Sequence, residues 1–198
     1  MGLGLDYTDG QTPLDEDEKE GLIITTLTTR GELDEFEQLG VEKAIAWAMR
    51  RKLALPDILS ENFVKGLHKR MFEDIWKWAG EFRRSNKNLG GDKEQTRIEL
   101  KQLIDDCHHW IAHNVFAKDD IAVRFSHRIV KIHPFANGNG RHSRLIADIL
   151  VSHGLGRPHF SWGSVNLTAQ GEARTKYLQA LHHADENDYR LLVEFARQ

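Results

Sequence analysis

The chain holds 198 residues, 40% hydrophobic, 29% charged and 9% aromatic, with a formal net charge of −3. These proportions exclude wholesale disorder, and a chain of this length buries about 70% of the surface it exposes when unfolded, enough for one domain without a covalent staple. A sequence pI near 6.4 excludes the broad basic footprint of a dedicated nucleic-acid binder.

The start, MGLGLDYTDG, has neither the basic nor the apolar region of a secretory leader. Apolar runs stay shorter than the about 18 residues of a membrane span, and the single cysteine, Cys107, has no partner for an internal disulfide. The expectation is a cytoplasmic protein with no contact to membrane or nucleic acid. Residues 1–20 carry Gly, Pro and the run Asp15-Glu16-Asp17-Glu18, with little to bury, and read as a loosely ordered acidic arm ahead of one domain over 21–198.

From there the helical period dominates. Leu33, Phe36, Gly40, Ala44 and Trp47 step by three or four, as do Phe63, Leu67, Met71, Ile75 and Trp78. Leu100, Leu103, Cys107 and Trp110 follow, then Ala122, Phe125, Ile129 and Ile132, then Leu145, Ile146, Ile149 and Leu150. Thr29, Ser60 and Asp119 or Asp120 suit N-caps, Gly80 and Gly154 suit stops, and a last short helix after Asn187 buries Leu192 and Phe195. Phe82 to Gly91, FRRSNKNLGG, suits a hairpin or a loop. The fold class is all-α, mainly helical, with a small β-hairpin.

The chemistry concentrates in His133 to Arg144, HPFANGNGRHSR. Pro134 ends the preceding helix at His133, and Gly138, Asn139 and Gly140 permit a tight turn into the next. Free amides and the positive end of a helix dipole then converge on one spot, an anion site. Arg141 and Arg144, three apart, project to the same side, and two guanidinium forks suit a polyphosphate. His133 has the proton affinity to take a proton from a hydroxyl, and Asn137 offers an oxygen to a hard cation. Each residue also has a plainer role: a structural glycine turn, a satisfied histidine, an Arg144–Asp148 surface pair, an Asn137 turn cap, and Phe135 as a core anchor.

HPFANGNGRHSR resembles the signature of the Fic family, H-P-F-x-acidic-G-N-G-R-x-x-R, matching eight of its nine specified positions. The likeness extends over residues 22 to 195, takes in Gly80-Glu81-Phe82-Arg83, and is strongest to the group called mobile mystery protein B. It implies a Fic-like fold and transfer of AMP from ATP to a Ser, Thr or Tyr hydroxyl of a target protein, with release of pyrophosphate. By position, His133 is then the general base. Gly138, Asn139 and Gly140 cradle the phosphates, Arg141 and Arg144 hold the pyrophosphate leaving group, and Asn88, Leu89, Gly90 and Gly91 belong to a hairpin flap that aligns the target.

Asn137 departs from the pattern, standing where the family has an acidic ligand for Mg²⁺, so a weaker metal site is expected. That departure keeps a second reading open: a weakly active or inactive nucleotide-binding regulatory module, one half of a toxin–antitoxin type pair with a small regulatory partner. Thr28-Thr29-Arg30-Gly31-Glu32-Leu33 fits five of six places of the family's inhibitory pattern, which implies autoinhibition by a Glu32–Arg144 pair. Thr29-x-x-Glu32 is equally a capping box. His108, His109 and His113 lack the further ligands of a zinc site. His182-His183 suits a solvated helix end, and Cys107 a small buried hydrophobe.

Overall fold

The computed structural model describes residues 12–164 and 171–198. Among them run α1 (Glu16–Lys19), α2 (Arg30–Met49), α3 (Leu55–Ile58), α4 (Glu61–Phe72), α5 (Thr96–Ala112), α6 (Lys118–Ile132), α7 (Asn139–Ile149), α8 (Glu172–Asp185) and α9 (Arg190–Arg197). Residues 1–11 of the expected acidic arm lie outside the described residues. Its remainder is seated on the domain, with Leu14 buried and α1 beside the 84–91 loop.

The helix starts follow local chemistry. Thr29 caps α2: its hydroxyl accepts from the Glu32 amide at 3.3 Å, and the Glu32 carboxylate accepts from the Thr29 amide at 3.1 Å. Ser60 caps α4 by accepting from the Phe63 amide at 3.1 Å. Asp119 and Asp120 are not caps: Ala117 holds that place, and both acids sit in the first turn of α6, where they favour the positive dipole end.

α6 is the axis of the packing, lying against α5, α7 and α9 and burying Ala122, Phe125 and Ile129 completely. α2 and α4 pack on each other and on α7. Cys107 of α5 is fully buried, and burial pushes its thiol up to about 12, so it is an inert core hydrophobe.

Three expectations yield to tertiary contacts. The period through Phe63 to Trp78 outlasts its helix: α4 ends at Phe72, because the next residues pair with residues 21–23 instead. The Ile23 amide donates to the Ile75 carbonyl and the Lys77 amide to the Gly21 carbonyl, making the Leu22–Trp76 bridge while Ile75 and Trp76 stay in the core. Gly80, the expected stop, therefore lies in a loop beyond the helix. No hairpin forms over Phe82–Gly91. The Arg83 guanidinium draws the Ser85 and Gly91 carbonyls inward at 2.9 and 2.7 Å, which leaves them unavailable to a facing strand. α8 was not foreseen beyond its end, since only Tyr177, Ala180 and Ala184 of it are buried and two of those are small. α7 does run on, through a π-helical turn over 150–154, to the expected stop at Gly154.

Gly40 sets the α2–α4 spacing: a Cβ there would lie 2.1 Å from the Met71 carbonyl oxygen. Helix propensity alone favours Ala over Gly by about 1 kcal/mol, but backbone cannot yield as a side-chain tip does. Gly40→Ala is expected to destabilise by about 1–3 kcal/mol in chemical denaturation; a stabilised variant would contradict the close crossing.

Candidate active site

The loop between α6 and α7 places the residues singled out by the sequence. His133 closes α6 in the left-handed region, φ 54° and ψ 60°, with its amide donating to the Ile129 carbonyl. That conformation is strained for a residue with a Cβ, and Arg83 holds it. Arg83 Nε donates to the His133 carbonyl at 2.8 Å, and the Arg83 amide donates to the Pro134 carbonyl at 2.9 Å. Nη2 of the same side chain reaches Gly91, so one buried guanidinium ties the histidine to the 84–91 loop.

An aromatic stack anchors the rest of the loop. Phe135 is completely buried, with the His68 ring stacked 3.7 Å away and the His142 ring edge-on at 5.1 Å. The Gly80 amide donates to His68 Nδ1, so Nε2 carries the proton and donates to the Asn137 carbonyl at 3.0 Å. Asn139 is among the residues lining the cavity, but its side chain is engaged within the loop. Its Oδ1 accepts from the Phe135 amide at 3.0 Å and its Nδ2 donates to the Phe135 carbonyl at 2.8 Å, stapling the loop shut. Gly138 has φ 76°, and a Cβ there would meet the Phe72 ring at 2.6 Å, so only glycine lets the chain turn into α7.

The turn opens into a cavity of about 580 Å³, floored by His133, Gly138, Gly140, Arg141 and Arg144. Lys131 of α6 and Tyr177, Leu178, Leu181 and His182 of α8 form a wall, and Asn88, Leu89 and Gly90 form a lip. His182 is thus a lining residue rather than only a solvated end. Gly90, at φ 89°, packs its backbone on His133, where a Cβ would sit 2.8 Å from the histidine's own Cβ. Gly91 serves Arg83 instead. As the first residues of α7, Asn139, Gly140 and Arg141 present amides that have no partner within the helix.

His133 is held in one tautomer. Its Nδ1 lies 3.3 Å from the Val130 carbonyl, which can only accept, so Nδ1 carries the proton. Burial pushes its pKa down to about 4, against the opposing Val130 hydrogen bond, and the ring is neutral near pH 7. Nε2 is therefore an acceptor, and the Thr12 hydroxyl donates to it at 2.9 Å.

The two arginines differ. Arg141 pairs with the buried Glu37 of α2 at 2.5 Å, while Trp76 Nε1 donates to the other Glu37 oxygen at 2.7 Å. Arg144 lies over the Tyr177 ring, 5.3 Å from its centroid. The expected Glu32–Arg144 pair does not form: the Glu32 carboxylate accepts from the Thr28 and Thr29 amides, and these hydrogen bonds lower its pKa. Asp148 does not pair with Arg144 either. It accepts from the Phe160 amide and Trp162 Nε1, and burial raises it to about 7.

Asn137 is engaged by its neighbours. Its Oδ1 accepts from the Gly138 amide at 2.6 Å and its Nδ2 donates to the Thr12 carbonyl at 3.2 Å. The only carboxylate lining this cavity among the described residues is Asp185, which engages His127 and Lys131. Mg²⁺ is held by one or two carboxylates plus phosphates, so these residues alone do not fit it.

Four residues that shape the site had not been assigned roles from the sequence: Thr12, Glu37, His68 and Arg83. Glu37 did carry a signal, a carboxylate four residues after Leu33 on the apolar stripe of α2, where charge is rare unless paired. Thr12 carried none, because its contacts span more than a hundred residues.

Residues 58–151 match the family model described as Fic/DOC family. Of the curated relatives, "Protein adenylyltransferase Fic" of Aedes aegypti is 27% identical over 168 residues, covering 82% of this chain and 32% of the relative. Its namesake in Drosophila grimshawi is 28% identical over 173 residues, covering 82% and 33%. The chain spans about a third of the length of these relatives. Among solved structures, the BepC protein of Bartonella tribocorum with bound AMPPNP superposes with a TM-score of 0.68 at 15% identity, over 92% of this chain and 97% of that one. Fic-1 of C. elegans gives 0.66 at 22% identity, over 83% and 48%. At these identities the structures share the fold.

Two outcomes follow from the site's protonation and donor set. His142, like His133, is driven by burial to about 4, and its Nε2 donates to the Val64 carbonyl. A histidine whose folded pKa is depressed contributes stability that is whole above its unfolded value near 6.5 and lost as pH falls through about 4. Asp148, raised to about 7, acts oppositely in this window. The wild-type unfolding free energy should therefore fall with acid more steeply than that of His142→Asn, by up to about 3 kcal/mol; parallel curves would contradict the buried neutral ring. Asn137→Asp supplies the missing charge, and calorimetry should show nucleotide affinity become more dependent on Mg²⁺ than in the wild type. An unchanged dependence would contradict the account of the donor set.

Proposed function

We propose that this protein, whose residues 58–151 match the Fic/DOC family model, is an adenylyltransferase that moves AMP from ATP to the hydroxyl of a protein Ser, Thr or Tyr. The observation that carries the reading is the acceptor nitrogen of His133, held at the edge of a cavity that also collects two guanidinium groups and a helix N-terminus. The activity named for the relatives and the AMPPNP named in the BepC structure agree with ATP as donor.

In this reading the α- and β-phosphates meet the unpartnered amides at the start of α7, while Arg141 and Arg144 take the charge of the departing pyrophosphate. Glu37 occupies one nitrogen of Arg141 and fixes the fork, leaving other N–H groups for phosphate. Tyr177, Leu178 and Leu181 offer an apolar wall to the base. Backbone groups of Asn88, Leu89 and Gly90 align the incoming segment by main-chain hydrogen bonds. The target hydroxyl gives its proton to His133 Nε2 as its oxygen attacks the α-phosphorus, and the bond to the β-phosphate oxygen breaks. Triphosphate charge beside the imidazole raises its affinity for that proton once ATP is bound.

A second reading, a nucleotide-binding regulatory module paired with a small partner, rests on the neutral Asn137 where charge would strengthen metal binding. Incubation with ATP labelled at the α- or γ-phosphate separates the two. Covalent protein label from the α-position alone is expected, and nucleotide binding without label would favour the module. His133→Ala is expected to lower the rate by about 10²–10⁴ while leaving the fold intact by circular dichroism. A folded variant that labels at the wild-type rate would contradict the base assignment.

A further inference from the structure

The hydroxyl that meets His133 belongs to the protein itself. Thr12 Oγ1 donates to His133 Nε2 at 2.9 Å, the position in which the reading above requires the target's hydroxyl. Thr12 lines the same cavity as Gly140, Arg141 and Arg144.

Its placement is over-determined. The Thr12 carbonyl accepts from Asn137 Nδ2 at 3.2 Å, and Pro13 restricts the backbone that follows. Lys87, whose side chain is only 2% exposed, donates to Asp15 Oδ2 at 2.9 Å and Glu18 Oε2 at 2.5 Å. Ser85 donates to Asp15 at 2.5 Å, and Trp78 Nε1 donates to the Glu18 carbonyl at 3.0 Å. The acidic run is thus a clamp. It grips the 84–91 loop and holds Thr12, three residues ahead of it, at the imidazole of His133.

We infer that Thr12 is a modification site: an intramolecular acceptor of AMP, adenylylated by the domain to which it is docked. The inference rests on the proposed transferase activity. In the step, Thr12 Oγ1 forms a bond to the α-phosphorus of ATP, and the bond from that phosphorus to the β-phosphate oxygen breaks. Pyrophosphate leaves, and the hydroxyl proton passes to His133 Nε2. No co-reactant besides ATP is needed. The clamp has already met the entropic cost of bringing nucleophile and base together, the main advantage of an intramolecular reaction over an encounter.

The test is incubation of the full chain with Mg²⁺ and α-phosphate-labelled ATP over a range of protein concentrations, alone and beside a cell lysate, followed by tandem mass spectrometry. One adenylyl group on Thr12 is expected, with a first-order rate constant independent of protein concentration. Thr12→Ala should lose that label and Thr12→Ser should keep it. Label on other residues or on lysate proteins with Thr12 unmodified would overturn the inference and leave the transferase reading standing. So would Thr12→Ala that only increases lysate labelling, since Thr12 would then be an unreactive plug. No label on any protein would overturn both.

Discussion

The arrangement depends on how the two nitrogens of one imidazole are used. His133 Nδ1 is held by the Val130 carbonyl one turn back, which leaves Nε2 as the lone-pair nitrogen facing the cavity. Burial keeps the ring neutral by driving its pKa to about 4, so it can accept a proton at neutral pH. Without that backbone contact either tautomer would be available, and the hydrogen bond from Thr12 would have no fixed direction.

The surrounding structure serves that geometry. A left-handed histidine ahead of a proline is a strained helix end, and strain of this kind persists only where its surroundings leave no alternative. Arg83 supplies the restraint from one side by gathering the His133, Ser85 and Gly91 carbonyls around a single guanidinium. From the other side, His68 bridges the Gly80 amide to the Asn137 carbonyl while stacking on Phe135. Asn139 closes the loop on itself. The loop's polar side chains thus mostly hold its shape, and the groups left to meet an anion are backbone amides and the two arginines.

The sequence made the motif and its helix–turn–helix setting legible, because Pro134 and the glycines constrain backbone wherever they stand, and because the apolar period marks α2, α5, α6 and α7 plainly. The period misled where a buried residue was not helical: Ile75 belongs to the core from a segment that bonds to residues 21–23. The 84–91 segment has the composition of a hairpin but is organised by a side chain, and composition carries no trace of that. Glu32 satisfied two patterns at once, and the local one prevailed because a capping box closes within four residues, whereas the pair with Arg144 needs a long-range approach. Glu37, one turn further along α2, reaches an arginine of the motif instead. Thr12 was illegible in principle, since its contacts with His133 and Asn137 cross more than a hundred residues of chain and the acidic run after it meets Lys87 across about seventy.

The use of those two nitrogens can be observed directly. Long-range nitrogen–proton NMR correlation of the histidine rings, followed through an acid titration, reports the tautomer and the pKa of His133 together. The account predicts a neutral ring with its proton on Nδ1 that titrates near 4. A proton on Nε2, or titration near the ordinary histidine value, would contradict it.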